Sequence, residues 1–330
     1  MNEPGETVAP ALSLLDERLA VEAIVAKAVG CELIHVESRE IFRANPLHRP
    51  RRFVRHSFRR NGGAGEAVEV FTKAGARLSL FYENLQNYLS GLDIPEFRVP
   101  TYYGLIRLET GAANSILGVW GYVARDTSRR FGQQWRENRD SVVRAAAAMT
   151  ALSDDVQRAA PNISRDVEFL RPLARVADET VANYARRGLD ISALAPAAKR
   201  LAAVEPIALE RLESLGGYFT HNDYRAANVF LNPGEKPVIL DWDSASLGPP
   251  GATLRSLARL PRSDQKQVVD LYCAHLEAQD FHFRWRDVLF TMRATEIFHA
   301  LIHAARFSAA DDSVAESIFR WGLEHVEDLA

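Results

Sequence analysis

The chain has 330 residues, enough for about two domains at roughly 150 residues each. Hydrophobic residues make up 47% and charged residues 25%, a globular composition that excludes a disordered, collagen-like or low-complexity protein. Forty Lys and Arg against 43 Asp and Glu leave a formal charge of −3, which excludes the strongly basic character that sequence-independent nucleic-acid binding needs. Two cysteines, Cys31 and Cys273, stand far apart and outside any paired spacing, so neither a zinc site nor a disulfide framework is expected. The polar, acidic stretch Met1 to Thr7 has no signal-peptide pattern, and no apolar run approaches the ~20 residues of a membrane span. These features predict a soluble protein of the cytoplasm with no membrane partner.

From Ala9 to Val29, Leu12, Leu15, Leu19, Ile24 and Val25 recur at helical spacing with Asp16, Glu17, Arg18 and Glu22 between them, which predicts an amphipathic helix ended by Gly30. Leu33, Ile34, Val36 and Ile41 suggest a strand within Cys31 to Phe42, before the proline-broken segment Asn45 to Pro50. Phe53 to Phe58 reads as a strand and Asn61 to Gly65 as its turn. Val68, Val70 and Thr72 form the return strand, which ends at Lys73. A helix over Leu78 to Leu89 follows, with Leu78, Phe81, Tyr82, Leu85, Tyr88 and Leu89 on one face. Two further strands, Gly104 to Leu108 and Ser115 to Val123, flank a turn at Glu109 to Asn114. Beyond Arg125 the patterns are long and helical: Trp135 to Leu152, Val167 to Arg187, Ala193 to Leu215, and several from Thr253 onward. Only Tyr218 to Leu240 interrupts them with strand-like pieces. The expected architecture is α+β, with an antiparallel-sheet front lobe over residues 1–120 and a mainly helical back lobe over 121–330.

The interruption holds the chemistry. Asp223 and Asn228 sit in a short loop within Tyr218-Phe219-Thr220-His221-Asn222-Asp223-Tyr224-Arg225-Ala226-Ala227-Asn228, and Asp241 ends the apolar run Val238-Ile239-Leu240. Polar loop tips at strand ends can converge on one cleft. Asn228 and Asp241 offer the oxygen ligands that Mg²⁺ prefers, and Asp223 is then a carboxylate able to accept or orient the proton of an attacking hydroxyl. Turn and cap duties are the alternative for all three.

The pattern His221-x-Asp223-x4-Asn228 followed by Ile239-Leu240-Asp241-Trp242-Asp243 resembles the aminoglycoside phosphotransferase and choline kinase group of small-molecule kinases. The resemblance implies a protein-kinase-like two-lobe fold over most of the chain, with Asp223 as base and Asn228 and Asp241 as Mg²⁺ ligands. By the same likeness His221 supports the loop, and Asp243 is either a loop-stabilising acceptor or close to the metal. It also implies a Lys on the third strand that binds nucleotide phosphates, the place Lys73 occupies. The sequence departs from the family at two points. Leu78 stands where the helix usually supplies an acidic partner to that Lys, and Glu83 lies about 140° round the helix from it. The phosphate-covering loop reads Arg43-Ala44-Asn45-Pro46-Leu47-His48-Arg49-Pro50, without the expected glycines.

Other features have plainer readings. Arg39 to Arg60 holds eight arginines and one acid, Glu40, as a solvated basic face or an anion site. His299 and His303, one turn apart, read as helix packing rather than a metal pair. Trp120, Gly121 and Tyr122 fall where an adenine would sit, or in an aromatic core. The sequence therefore points to an ATP- or GTP- and Mg²⁺-dependent phosphotransferase acting on a small-molecule hydroxyl of aminoglycoside, amino-alcohol or sugar type. Glu296, Asp311, Asp312 and Glu316 are available to attract a cationic amine. The alternative is a pseudokinase that binds nucleotide or serves as a scaffold without turnover. Oligomeric state is not legible.

Overall fold

The computed structural model describes residues 14–40, 53–62, 67–74, 80–110, 113–126, 131–164, 173–192, 194–307 and 313–330. Residues 41–52, which hold the expected phosphate-covering loop, and residues 75–79, which include Leu78, lie outside them, as do Asp311 and Asp312. The chain divides into two compact units, Met1–Asp93 with Arg98–Arg125, and Ile94–Phe97 with Asp126–Ala330.

The first unit contains α1 (Leu14–Val29), β1 (Leu33–Glu40), β2 (Phe53–Arg60), β3 (Val68–Ala74), α2 (Leu80–Ser90), β4 (Tyr102–Thr110) and β5 (Ala113–Gly121). The five strands form one antiparallel sheet in the order β1-β2-β3-β5-β4. The expected hairpin is β2 and β3, with Phe53 opposite Lys73 and Phe58 opposite Val68. Along β2 the period of two buries Val54, His56 and Phe58. Val21 and Val25 of α1 pack on that face against Leu33, Phe58, Val70 and Val119. Gly30 ends α1 at φ +68°, its N–H bonded to the Ala26 carbonyl, the left-handed close that glycine adopts without strain.

The buried stripe of α1 is rotated from the expected one. Leu19 is 51% exposed, whereas Glu17 is 1% exposed and faces the sheet. Glu17 is fixed there by polar partners: Thr72 Oγ1 donates to it, and His56 Nε2 lies 3.4 Å from its Oε1. The chain of contacts runs outward from His56 Nδ1 to Ser38 Oγ at 2.9 Å and from Ser38 to His35 Nε2 at 2.8 Å. A carboxylate among apolar side chains is tolerated because it is paired and hydrogen-bonded.

Trp120 belongs to the core. It stacks on Phe71 with centroids 5.2 Å apart, lies 5.7 Å from Tyr102, and donates its indole N–H to Gln86 Oε1 at 3.1 Å. Its ring folds over Gly118 of the same strand, where a Cβ would stand 2.0 Å from the ring edge.

The second unit contains α3 (Phe131–Glu137), α4 (Arg139–Ala151), α5 (Ser153–Ala159), α6 (Ala174–Arg186), α7 (Leu194–Ser214), β6 (Tyr218–Thr220), β7 (Val229–Phe230), β8 (Val238–Ile239), β9 (Ser246–Gly248), α8 (Arg262–Glu277), α9 (Trp285–Phe307) and α10 (Ser313–Glu324). The helix expected over Trp135 to Leu152 is broken at Asn138, whose side chain donates to the Gln134 carbonyl at 2.9 Å. Helices α6, α7, α9 and α10 share one apolar core, with Tyr184, Leu201, Leu212, Phe298, Leu301 and Phe319 fully buried. Glu205 of α7 accepts from the Leu173 and Ala174 N–H groups, placing a carboxylate at the start of α6 where free amides need an acceptor. Ile94–Phe97 belongs with this unit because Lys236 Nζ donates to the Ile94 carbonyl at 3.0 Å and Phe97 packs on Trp242. Among the described residues, no helix is long and apolar enough to cross a membrane.

Replacing Gly118 by Val forces either the Trp120 ring or β5 to move. Gly118→Val is expected to cost about 1–3 kcal/mol, read as a lower urea midpoint with a blue-to-red shift of tryptophan emission. An unchanged midpoint would show that Trp120 does not occupy the space over Gly118.

Candidate active site

Four short strands of the second unit position two loops. β6 pairs antiparallel with β9, and β7 with β8. The loop from His221 to Asn228 joins β6 to β7, and the loop from Leu240 to Ala245 joins β8 to β9. Leu240 locks them together: its N–H donates to the Asn228 carbonyl at 2.9 Å, and its carbonyl accepts from His221 Nε2 at 2.8 Å. Asp241 is therefore held one residue from a bond to Asn228.

His221 is fully buried. With Nε2–H given to Leu240, Nδ1 is the acceptor and takes the Asp223 backbone N–H at 3.3 Å. Burial holds its pKa below the usual histidine value despite the opposing charge of Asp223, so the ring is neutral. Its centroid lies 4.6 Å from that of Trp242, which stacks on Phe219. His221 thus acts on the loop's shape.

Asn222 is a feature that sequence reasoning passed over. It adopts φ +58°, and its amide nitrogen donates to the Ser244 carbonyl at 2.8 Å and Ser246 Oγ at 2.7 Å, while Oδ1 accepts from Thr220 Oγ1 at 2.8 Å. Asp241 is also left-handed, at φ +64°, at the start of the 3₁₀ turn Trp242–Ser244. Asn and Asp are the non-glycine residues that tolerate this region best, which was the available signal.

Asp223 Oδ2 accepts from Asn228 Nδ2 at 2.7 Å, and the same nitrogen donates to the Asp223 carbonyl at 2.9 Å. The Asn228 amide nitrogen is spent on Asp223, so its carbonyl oxygen is the end that Asp223 does not use. Oδ1 of Asp223 lies 3.0 Å from Arg225 Nε and 3.6 Å from the buried Arg255 guanidinium. Arg225 thus meets the carboxylate directly. Arg255 was not singled out; an arginine within the apolar run Ala252-Thr253-Leu254-Arg255-Ser256-Leu257-Ala258 was its signal. Its Nε donates to the Asn222 carbonyl at 2.9 Å, and a second nitrogen reaches Glu296 Oε2 of α9 at 2.8 Å.

Asp223, Asn228, His221 and Asp241 are thus gathered by one hydrogen-bonded pair of loops, with Asp243 half-buried in the adjoining 3₁₀ turn. Lys73 belongs to the first unit, where it is 5% exposed at the end of β3, opposite Phe53 on one side and Gly118 on the other. Glu83 stands in the first turn of α2; after burial, its charge is the cause that raises the pKa of the Tyr102 hydroxyl. Within the basic segment, Arg55 pairs with Glu69 and its guanidinium lies 4.3 Å over the Tyr122 ring. The rings of His299 and His303 are 5.8 Å apart, and no group of three His, Cys, Asp or Glu able to hold a metal occurs among the described residues. An Asn–Asp pair is outside that count, and Mg²⁺ commonly takes only one or two protein oxygens beside phosphate and water.

The model of the phosphotransferase enzyme family matches residues 55–289. No curated protein matches the chain by sequence. Among solved structures, a microcompartment-associated aminopropanol kinase aligns with a TM-score of 0.57 at 14% identity, over 93% of this chain and 94% of that one. Spectinomycin phosphotransferase, solved with ADP and spectinomycin, aligns with a TM-score of 0.51 at 11% identity, over 97% and 94%. These likenesses show the fold expected from the sequence, an antiparallel-sheet lobe and a mainly helical lobe.

Asn222→Ala removes three side-chain hydrogen bonds and leaves a Cβ residue without polar compensation in the left-handed region. The expected cost is about 2–4 kcal/mol in urea unfolding, with Asn222→Gly recovering about 1 kcal/mol of it. Equal losses in the two variants would show that backbone strain has no share.

Proposed function

The chain belongs to the phosphotransferase enzyme family, and on that premise we propose that it moves the γ-phosphate of ATP or GTP to a hydroxyl of a small molecule, with Asp223 as the base. The observation that carries this reading is the joint arrangement of Asp223, Asn228 and Asp241 on loops tied through Leu240. The Asp223 carboxylate has one oxygen anchored by Asn228 and the other beside two arginines, so its orientation is set before an acceptor arrives. In the reaction the acceptor oxygen forms a bond to the γ-phosphorus, the bond from that phosphorus to the β-bridging oxygen breaks, and the hydroxyl proton passes to Asp223. The products are the phosphate ester and the nucleoside diphosphate. Arg225 and Arg255 keep the carboxylate in place until it takes that proton.

The donor set fits Mg²⁺: the Asp241 carboxylate and the Asn228 carbonyl oxygen would hold it. When bound, the ion neutralises charge on the nucleotide phosphates. Lys73 is assigned to nucleotide-phosphate binding, with the first unit as the nucleotide-binding lobe and the second supplying the base and the acceptor site.

Asp223→Asn keeps the hydrogen-bonding shape and removes the base. It is expected to lower transfer by about 10²–10⁴-fold while the nucleotide-induced thermal shift is retained. Wild-type turnover in this variant would refute the assignment. Asp241→Ala is expected to abolish the Mg²⁺ dependence of that shift with ATP, GTP or a non-hydrolysable analogue. A wild-type metal titration would remove Asp241 from the ligand set, and a shift independent of metal in the unmodified protein would favour a nucleotide-binding protein without turnover.

A further inference from the structure

Of the acids that the sequence offered to a cationic acceptor, the two within the described residues, Glu296 and Glu316, are already paired with arginine. Glu296 is 4% exposed and lies between two arginines, with Arg255 at 2.8 Å from one oxygen and Arg259 at 2.6 Å from the other. Glu316 is bonded by Arg320 one turn along α10, at 2.9 Å. What remains beside Asp223 is a continuous ladder of charge: Arg225, Asp223, Arg255, Glu296, Arg259. It contains three cations and two anions.

The exposure of its members sharpens the sign. The carboxylates are the covered rungs, with side chains 24% and 4% exposed, whereas the guanidinium ends of the ladder, Arg225 and Arg259, are 57% and 38% exposed. Of these five groups the ones most offered to solvent are therefore cationic, and a polycation approaching Asp223 would meet Arg225 in contact with it. Beyond Arg259 the indole of Trp321 lies under the guanidinium, 4.9 Å from its carbon, which orients the charge. His299, on the same face of α9 one turn after Glu296, has its pKa held well below the usual histidine value by burial and by these arginines, so it is a neutral hydrogen-bonding group.

We propose that the acceptor carries an anionic group, carboxylate or phosphate, together with its hydroxyl, and that Arg225 and Arg259 bind that group beside Asp223. Arginine forks suit this because they meet either anion with two parallel donors. The inference rests on the phosphotransferase reading above. It sets this chain apart from a polyamine-binding site, in which carboxylates would have to face the ligand.

The test has two arms. Quenching of Trp321 emission, taken as the difference between the unmodified protein and Trp321→Phe, is compared for iodide and caesium. Iodide is expected to quench more steeply, and Arg259→Gln to abolish the difference; equal or steeper quenching by caesium overturns the cationic surface at Arg259 directly. In the second arm, release of nucleoside diphosphate is followed with glycerate, glycerol and 3-aminopropane-1,2-diol, and with gluconate, glucitol and glucosamine. The anion of a set is expected to exceed the amine by about tenfold in kcat/KM, with Arg259→Gln raising its KM by about the same factor. An amine used as well as or better than the anion overturns the acceptor class while leaving the phosphotransferase reading intact. Steeper iodide quenching with no transfer to any compound counts against the phosphotransferase reading itself, and the proposed acceptor falls with it.

Discussion

Two hydrogen bonds of Leu240, one accepted from His221 Nε2 and one donated to the Asn228 carbonyl, hold the candidate site together. They cross between loops that are separate in sequence and so convert two flexible connections into one unit. Because His221 gives its only N–H to Leu240, the opposite ring nitrogen must accept, and it does so from the Asp223 backbone. The tautomer of one buried ring thereby sets the path of the chain at Asp223. Trp242 and Tyr224 pack against that fully buried ring and exclude the water that would otherwise compete for these bonds.

Charge in the same region follows from burial. Glu296 and Arg255 are almost entirely enclosed, and an enclosed ion needs a partner of opposite sign in direct contact. Each contact then fixes the next, from α9 through Arg255 to the Asn222 carbonyl and the Asp223 carboxylate. The ladder orients Asp223 and at the same time pairs Glu296, one of the acids that the sequence offered to a cation. Orientation of Asp223 and the pairing of Glu296 are thus two results of one arrangement.

Local pattern carried much of the fold. The β2–β3 hairpin was legible because alternation and a glycine-rich turn are properties of neighbouring residues, and the helical stretches after Arg125 because a period near 3.6 repeats along each of them. The rotation of α1 was not legible. Leu19 looked buried and Glu17 exposed, and only the presence of Thr72 and His56 on the facing sheet reverses them. The break at Asn138 was missed as well, because apolar periodicity continues through it.

At the site, residue types and spacing were enough to single out Asp223, Asn228 and Asp241, since a base and oxygen ligands must be Asp, Asn or a close equivalent, and the likeness to small-molecule kinases lies in those letters. Arg255, Arg259 and the true position of Glu296 came only from the fold. They are distant in sequence, arginine and glutamate are common on any helix, and pairing depends on which faces of α9 and the Ala252–Arg259 turn come together. The amino-acid sequence by itself determined which reactive groups the chain offers, because such groups are defined by element and charge. Tertiary structure alone decided which charges remain exposed to an acceptor, because that depends on packing between segments that no local rule connects.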